Sequence, residues 1–189
     1  KANSDDLICF EKNDKLKGLE HLSGIIDATL NHQPIELHYQ TFKEHDITTI
    51  CHPYYVKQYN NRWFLFGRND QYNNIGNYAL DRIISFKNAD IDFIKNTETN
   101  FEDYFKDVIG VTVPEKKAVE TVVLRFSKER LQYVISKPLH PSQVVNEEEQ
   151  TVTIQVKPNK ELDQMIFSFI PDIEVVSPLF LRKEIQKKI

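Results

Sequence analysis

Cysteine, glycine and long apolar runs are all scarce in this chain of 189 residues. The two cysteines, Cys9 and Cys51, cannot build a disulfide framework, and no Cys-x-x-Cys pair is present to bind structural zinc. Five glycines are too few for a glycine-rich loop that cradles phosphates. Apolar runs extend over only a few residues, which excludes a transmembrane helix.

Catalytic and metal-binding motifs are missing as well. The sequence has no Gly-x-Ser-x-Gly elbow, no P-loop and no His-Glu-x-x-His, so we expect neither an enzyme nor a bound cofactor. His38, His45 and His52 recur every seven residues. An odd spacing puts successive strand residues on opposite faces, and we therefore predict no metal site.

The chain begins at Lys1, without an initiator methionine and without an apolar signal region. We expect from this start that the chain is a fragment of a longer protein. The low cysteine content is typical of the reducing cytoplasm, which is the expected location.

The net charge of −4 is unevenly distributed along the chain. Between Cys51 and Lys87, five cationic side chains stand against two carboxylates, which gives a local net charge of +3. The same segment is rich in aromatic residues. Because phosphates pair with cations and bases stack on aromatic rings, an anionic ligand is expected here.

Residues 15–97 are predicted to form one helix followed by short antiparallel strands, the pattern of a small β-barrel. Leu19, Ile26 and Leu30 lie near the helical period, whereas Ile35, Leu37 and Tyr39 alternate with polar residues as in a half-buried strand. The predicted elements are a strand at 7–10, a helix at 15–30, strands at 35–39, 49–59, 62–68, 78–86 and 91–94, and loops at 42–48 and 69–77.

The sharpest local signal is Asn60-Asn61 between two aromatic-rich runs. Asparagine tolerates positive φ, so a two-residue hairpin turn is predicted, with pairs 59/62, 58/63, 57/64, 56/65 and 55/66. The second face, with Tyr54, Val56, Trp63 and Leu65, is expected to be core. The first face binds a ligand, or it packs on the helix or a partner subunit with Arg62 over Tyr59. This first face collects Tyr55, Lys57, Tyr59, Arg62, Phe64, Phe66 and Arg68.

The second half of the chain has a different pattern. Strands at 119–126, 143–145, 151–156 and 173–176 alternate with helices at 128–135 and 160–169, and Pro178 opens a last helix. This order is the split βαβ pattern of a ferredoxin-like domain. The prediction is an α+β chain with a segment 1–14, a first domain 15–97, a linker 98–117 and a second domain 118–189.

Three motifs resemble the WYL domain of bacterial transcriptional regulators: His52-Pro53-Tyr54-Tyr55, Arg62-Trp63-Phe64-Leu65 and Ala79-Leu80-Asp81-Arg82-Ile83. The namesake Trp-Tyr-Leu stands here as Trp63-Phe64-Leu65, and residues 35–39 match the opening Ile-x-Tyr strand of the family. Residues 121–189 look like the WCX extension that follows WYL. The resemblance implies an Sm/SH3-like barrel, then a ferredoxin-like domain, and a preceding winged helix-turn-helix that this chain lacks.

The functional hypothesis is the effector and dimerisation region of a regulator that binds DNA through the missing N-terminal module. We expect its WYL domain to bind single-stranded nucleic acid or a nucleotide-like anion, and the chain to form a homodimer. His52 donates to the ligand or caps a strand, and Arg82 holds a ligand or an acid such as Glu36. The alternative function is a constitutive protein-interaction or dimerisation module without a ligand. The predicted ligand-binding residues are Tyr39, His52, Tyr55, Lys57, Tyr59, Arg62 and Arg82.

Overall fold

The computed structural model describes residues 17–41 and 45–189, which divide into two compact units between Asn96 and Thr97. The strand predicted at 7–10 and residues 42–44 of the loop predicted at 42–48 lie outside the described residues. Residues 46–48 of that predicted loop belong to a strand, so the loop is shorter than predicted. Each unit combines α-helix with an antiparallel sheet, so the predicted α+β class is confirmed. Within the described ranges, no helix is long and apolar enough to cross a membrane.

The first unit packs one helix on a five-stranded antiparallel sheet of order β4-β3-β2-β1-β5. Strands β4 and β5 are the edges of this order, and the pairings among the described residues do not join them. The elements are α1 (Leu19–Leu30), β1 (Ile35–Gln40), β2 (Asp46–Tyr59), β3 (Arg62–Asn69), β4 (Asn74–Ala79), a 3-10 turn (Leu80–Arg82) and β5 (Ile83–Asn88).

The core of this unit follows the alternation of β1. Ile35, Leu37 and Tyr39 point inward and join one cluster with Ile25 of α1 and Leu65 of β3. Because burial of a large aliphatic side chain stabilises a fold by about 1.5–3 kcal/mol, this cluster fixes which face of each strand is core. The alternate residues of β1 are left for the opposite face of the sheet.

Helix α1 begins later than the predicted start at residue 15. Gly18 precedes the helix with φ 88°, a conformation that favours glycine. A Cβ at Gly18 would lie 2.3 Å from the carbonyl carbon of Leu80, so the start of α1 also packs on the 3-10 turn. Residues 15 and 16 lie outside the described part of the chain.

The single strand predicted at 78–86 is wrong, because the 3-10 turn interrupts it. Leu80 and Ile83 are both buried in the core cluster. Residues three apart point to opposite faces of a strand but eclipse each other in a 3-10 turn, so the turn buries both. The loop predicted at 69–77 is also shorter, since β3 continues to Asn69 and β4 begins at Asn74. Residues 91–94 do not form the predicted strand.

The second unit contains a four-stranded antiparallel sheet of order β7-β8-β6-β9. Two of its helices are capped by side chains: Ser127 accepts a hydrogen bond from the Arg130 N–H, and Asn159 accepts one from the Leu162 N–H. The elements are α2 (Phe101–Phe105), β6 (Glu120–Phe126), α3 (Lys128–Ser136), β7 (Val144–Asn146), β8 (Thr151–Val156), α4 (Lys160–Ser168), β9 (Ile173–Ser177) and α5 (Leu179–Gln186).

Candidate ligand-binding face

The β2–β3 hairpin arranges most of the predicted site residues in cross-strand rows. Asn60 and Asn61 have φ of 46° and 59°, the left-handed pair that a type I′ turn requires. All five predicted pairs from 59/62 to 55/66 are confirmed. Directly opposed residues of an antiparallel pair project from the same face, so Lys57 lies beside Phe64 and Tyr55 beside Phe66.

A β-bulge between Pro53 and Tyr55 changes the register at the far end of the hairpin. Without it, Arg68 would oppose Pro53; in the structure Arg68 opposes His52. The extra residue therefore brings His52 onto the face that carries Arg68. We call this surface the basic–aromatic face and define it by His52, Tyr55, Lys57, Tyr59, Arg62, Phe64, Phe66 and Arg68.

The basic–aromatic face is a strip of four rows. Rows two residues apart are separated by about 7 Å, so the strip is about 20 Å long. Arg62, Lys57 and Arg68 distribute positive charge along it. The rings of Phe64 and Phe66 are buried, whereas Tyr55 is 39% exposed. The buried rings fix the floor of the strip, and Tyr55 presents an accessible ring.

Arg62 at the turn end of the strip is held by an acid. Its Nη2 donates to both carboxylate oxygens of Asp81, at 2.8 and 2.7 Å. The guanidinium also lies 5.6 Å from the centre of the Phe64 ring. Both partners of the ion pair remain partly exposed, at 38% and 27%. An incoming anion therefore meets Arg62 already paired with a carboxylate.

Tyr39 lies in β1 and Arg82 lies in the 3-10 turn, so neither belongs to the rows of the hairpin. Tyr39 belongs to the core, where its hydroxyl accepts a hydrogen bond from the Ala79 N–H at 3.3 Å and burial raises its pKa. The Arg82 guanidinium lies 5.9 Å from the Tyr39 ring centre, and its Nε donates to the Gln40 carbonyl at 2.7 Å. Glu36, the acid considered for Arg82, pairs with Lys87 at 2.9 Å.

His52 is fully buried at the opposite end of the strip from Arg62. Its Nδ1 accepts a hydrogen bond from the Ile94 N–H at 3.1 Å, and the Tyr54 hydroxyl donates to the Ile94 carbonyl at 2.8 Å. Its Nε2 is 3.7 Å from Asp70 Oδ1, too far for a hydrogen bond. Burial lowers the pKa of His52, so the ring is held in its neutral form.

Sequence reasoning placed Arg68 on the first face but did not include it among the ligand-binding residues. The Nε of Arg68 is buried and has no hydrogen-bond acceptor. Its position opposite His52 depends on the bulge, and the Pro53 that begins the bulged segment is the one signal in the sequence, because proline in a strand favours bulges.

The residue after Arg68, Asn69, was also missed, and it anchors the end of β3. Its side-chain amide donates to Thr49 Oγ1 at 2.9 Å and to the Tyr78 hydroxyl at 2.7 Å, and all three residues are buried. Burial raises the pKa of Tyr78 to about 12. This neutral network fixes the backbone that carries Arg68.

Metal-binding groups do not converge in the described ranges, where no three His, Cys, Asp or Glu side chains form a cluster. His38 lies near Asp46, with 3.8 Å between Nε2 and Oδ2, while His52 belongs to the strip described above. Cys51 is a free, buried thiol whose pKa is raised by burial.

Two family models match the chain: the WYL domain over residues 20–87 and the WCX domain over residues 118–189. Together the two matches cover well over half of the sequence. The chain therefore belongs to the proteins that carry a WYL domain followed by a WCX domain, and the resemblance drawn from its motifs is confirmed.

Sixteen chains of solved structures match this fold. One is proteasome accessory factor B/C (PafBC) of Arthrobacter aurescens, with 11% identity, a TM-score of 0.42, and coverage of 98% of this chain and 28% of that one. Another is a CRISPR Cas-related protein, with 11% identity, a TM-score of 0.53, and coverage of 90% and 49%. The second likeness shows a common fold alone. The chain spans less than half of either protein, and the comparison with curated proteins gave no match.

Proposed function

We propose that this chain is the effector region of a DNA-binding transcriptional regulator, and that its WYL domain binds a nucleic-acid or nucleotide-like anion. The observation that carries the proposal is the interleaving of cations and aromatic rings along the basic–aromatic face. Stacking of a base on an aromatic side chain contributes about 1–3 kcal/mol, and cations beside it pair with phosphates. Membership of the WYL–WCX class supports a regulatory role.

The finer architecture is part of this proposal. The first unit is an Sm/SH3-like barrel, and the sheet order β7-β8-β6-β9 supports a ferredoxin-like second unit. The chain acts without catalysis, in the cytoplasm, and contacts DNA through a module outside this sequence. A ligand regulates such a protein only when it binds two states of a homodimer with different affinity.

Each part of the face has a role in the proposed complex. Tyr55 stacks on a base, because it is 39% exposed. Lys57 and Arg68 pair with phosphates along the strip, and Arg62 exchanges Asp81 for the ligand. Tyr39 supports Arg82 from the core, so Arg82 extends the positive charge beyond the turn end.

The test is fluorescence anisotropy with short labelled single-stranded DNA at two salt concentrations. Tyr55→Ala and Lys57→Ala should each weaken binding several-fold, and Lys57→Ala should also reduce the salt slope by about 0.7. Lys87→Ala is the matched control, because it removes a cation from β5, away from the face. Equal affinity of all three variants and the wild type would refute ligand binding at this face.

A second candidate function, an interaction or dimerisation module without a ligand, is supported by α1. Leu19, Ile26 and Leu30 are 47%, 36% and 72% exposed, and their spacing places them on one stripe of the helix. Analytical ultracentrifugation of the wild type and Ile26→Glu tests this function. A dimer that dissociates in the variant, together with no DNA binding by the wild type, would favour the second candidate.

A further inference from the structure

Two buried N–H donors lie in one cross-strand row at the end of the basic–aromatic face. His52 Nε2 and Arg68 Nε are both inaccessible to solvent and have no hydrogen-bond acceptor. The two residues oppose each other in the β2–β3 register, so their side chains leave the same face. A buried donor without an acceptor costs about 1–3 kcal/mol, so two in one row indicate a missing partner.

The protonation of both groups is determined by their surroundings. The Ile94 N–H donates to His52 Nδ1, which therefore carries no proton, and the proton of the neutral ring lies on Nε2. Arg68 is charged at any ordinary pH. In the part of the chain that the structure describes, Arg68 makes no ion pair. The row thus presents two donors and one uncompensated positive charge.

The nearest acid does not satisfy this row. Asp70 Oδ1 is 3.7 Å from His52 Nε2, and the carboxylate is half-exposed on the residue that follows β3. A group that fills the row must therefore be an acceptor, and an anionic acceptor oxygen also neutralises Arg68. Since Arg68 is the last residue of β3 on this face, the occupant lies at the end of the strip.

We propose that His52 and Arg68 form an oxyanion pocket that binds a terminal phosphate monoester, the end group of a nucleotide or of a short single strand. The pocket itself requires only a phosphate; its use for a nucleotide or strand rests on the proposed function. Nδ1 of His52 is occupied by the backbone, so Nε2 is the recognising atom, and Arg68 supplies the charge.

The first test follows the His52 ring by ¹⁵N NMR during titration with inorganic phosphate. Phosphate should shift the Nε2 resonance of the wild type and of Lys87→Gln, the control that removes a cation from β5, away from the basic–aromatic face. Arg68→Gln should bind phosphate about 10- to 100-fold more weakly, the loss expected for one charge-assisted hydrogen bond. Arg68→Lys keeps the positive charge but lacks the Nε–H, so it should also bind phosphate more weakly. This second variant keeps the test valid if Arg68→Gln does not fold.

Two results would overturn the pocket. One is a His52 resonance that phosphate does not move. The other is equal phosphate affinity of the wild type and Arg68→Lys, with the fold of the variant verified by its amide spectrum. Asp70→Asn should bind phosphate at least as tightly as the wild type, because the neighbouring negative charge is removed.

The second test compares a single-stranded oligonucleotide with and without a terminal phosphate, and a mononucleotide. The phosphorylated strand should bind the wild type more tightly than the unphosphorylated one, and Arg68→Gln should abolish the difference. Equal binding of both strands would refute the terminal-phosphate role while leaving the proposed function standing. Binding of phosphate or the mononucleotide with no binding of either strand would refute a nucleic-acid ligand and support the pocket for the free nucleotide.

Discussion

Replacing Asp81 with asparagine should strengthen the binding of single-stranded DNA to the basic–aromatic face. In the free protein both oxygens of Asp81 accept hydrogen bonds from Arg62 Nη2. A phosphate that contacts Arg62 must share this guanidinium with the carboxylate. Asparagine keeps one acceptor oxygen for Arg62 and removes the negative charge.

The expected gain follows from the distance between the two anions. A phosphate and a carboxylate on the same guanidinium are about 6 Å apart, and they repel by about 0.7–2.8 kcal/mol at effective dielectric constants between about 80 and 20. Because Arg62 and Asp81 are 38% and 27% exposed, the lower part of this range applies. A gain of about 1 kcal/mol corresponds to roughly fivefold tighter binding. The loss of stability should stay below about 1 kcal/mol.

Fluorescence anisotropy at low and moderate salt measures this change. The matched control is Asp92→Asn, which changes the net charge by the same amount. Asp92 is exposed and lies between the residues that the two family models match. Binding of Asp81→Asn that is equal to that of Asp92→Asn, or weaker, would show that Arg62 does not contact the ligand.

Three further predictions concern stability. Asn159→Ala should lower the free energy of unfolding by about 2–4 kcal/mol in urea titrations. The substitution removes the cap of α4 and the hydrogen bonds that the side-chain amide donates to the Ile109 and Thr112 carbonyls, at 2.8 and 2.9 Å. A loss below about 0.5 kcal/mol would contradict this role. Gly67→Ala should destabilise the first unit by about 1–3 kcal/mol in thermal unfolding, because its Cβ would lie 2.4 Å from the His52 carbonyl oxygen; an unchanged midpoint contradicts the close approach. Burial lowers the pKa of His52, so the unfolded chain binds the proton first and stability should fall as pH decreases below about 6.5, by at most about 1.4 kcal/mol per pH unit. His52→Gln should reduce this slope, and an unchanged slope contradicts the assignment.

The hairpin was predictable because its information is local. Two consecutive residues that tolerate positive φ, between aromatic-rich runs, determine both the turn and the register on each side of it. The 3-10 turn at Leu80–Arg82 was not predictable in the same way. Its residues continue an alternating pattern in the sequence, and the turn arises because the core takes both Leu80 and Ile83.

The residues of the candidate site also differ in how far local sequence predicts their positions. Tyr55, Lys57, Tyr59 and Arg62 follow from the hairpin register alone. The pairing of His52 with Arg68 needs the bulge, and Pro53 favours a bulge without determining which residue of β2 is left unpaired. Tyr39 follows from its alternating strand, but its hydrogen bond to Ala79 joins elements 40 positions apart and could not be read from spacing.

The bulge at Pro53–Tyr55 also determines which length changes this domain can accept. Surface loops usually tolerate inserted or deleted residues, but the number of residues between the bulge and the turn determines which β2 side chains face the core. Adding one residue between Tyr55 and the turn would move Asp46–Tyr55 by one position against β3. Thr49 and Cys51 would then leave the core face of the sheet, and His52 would move onto it from the opposite face. Relatives of this chain should therefore vary in side chain at position 54 more readily than in the number of residues between the His-Pro pair and the turn.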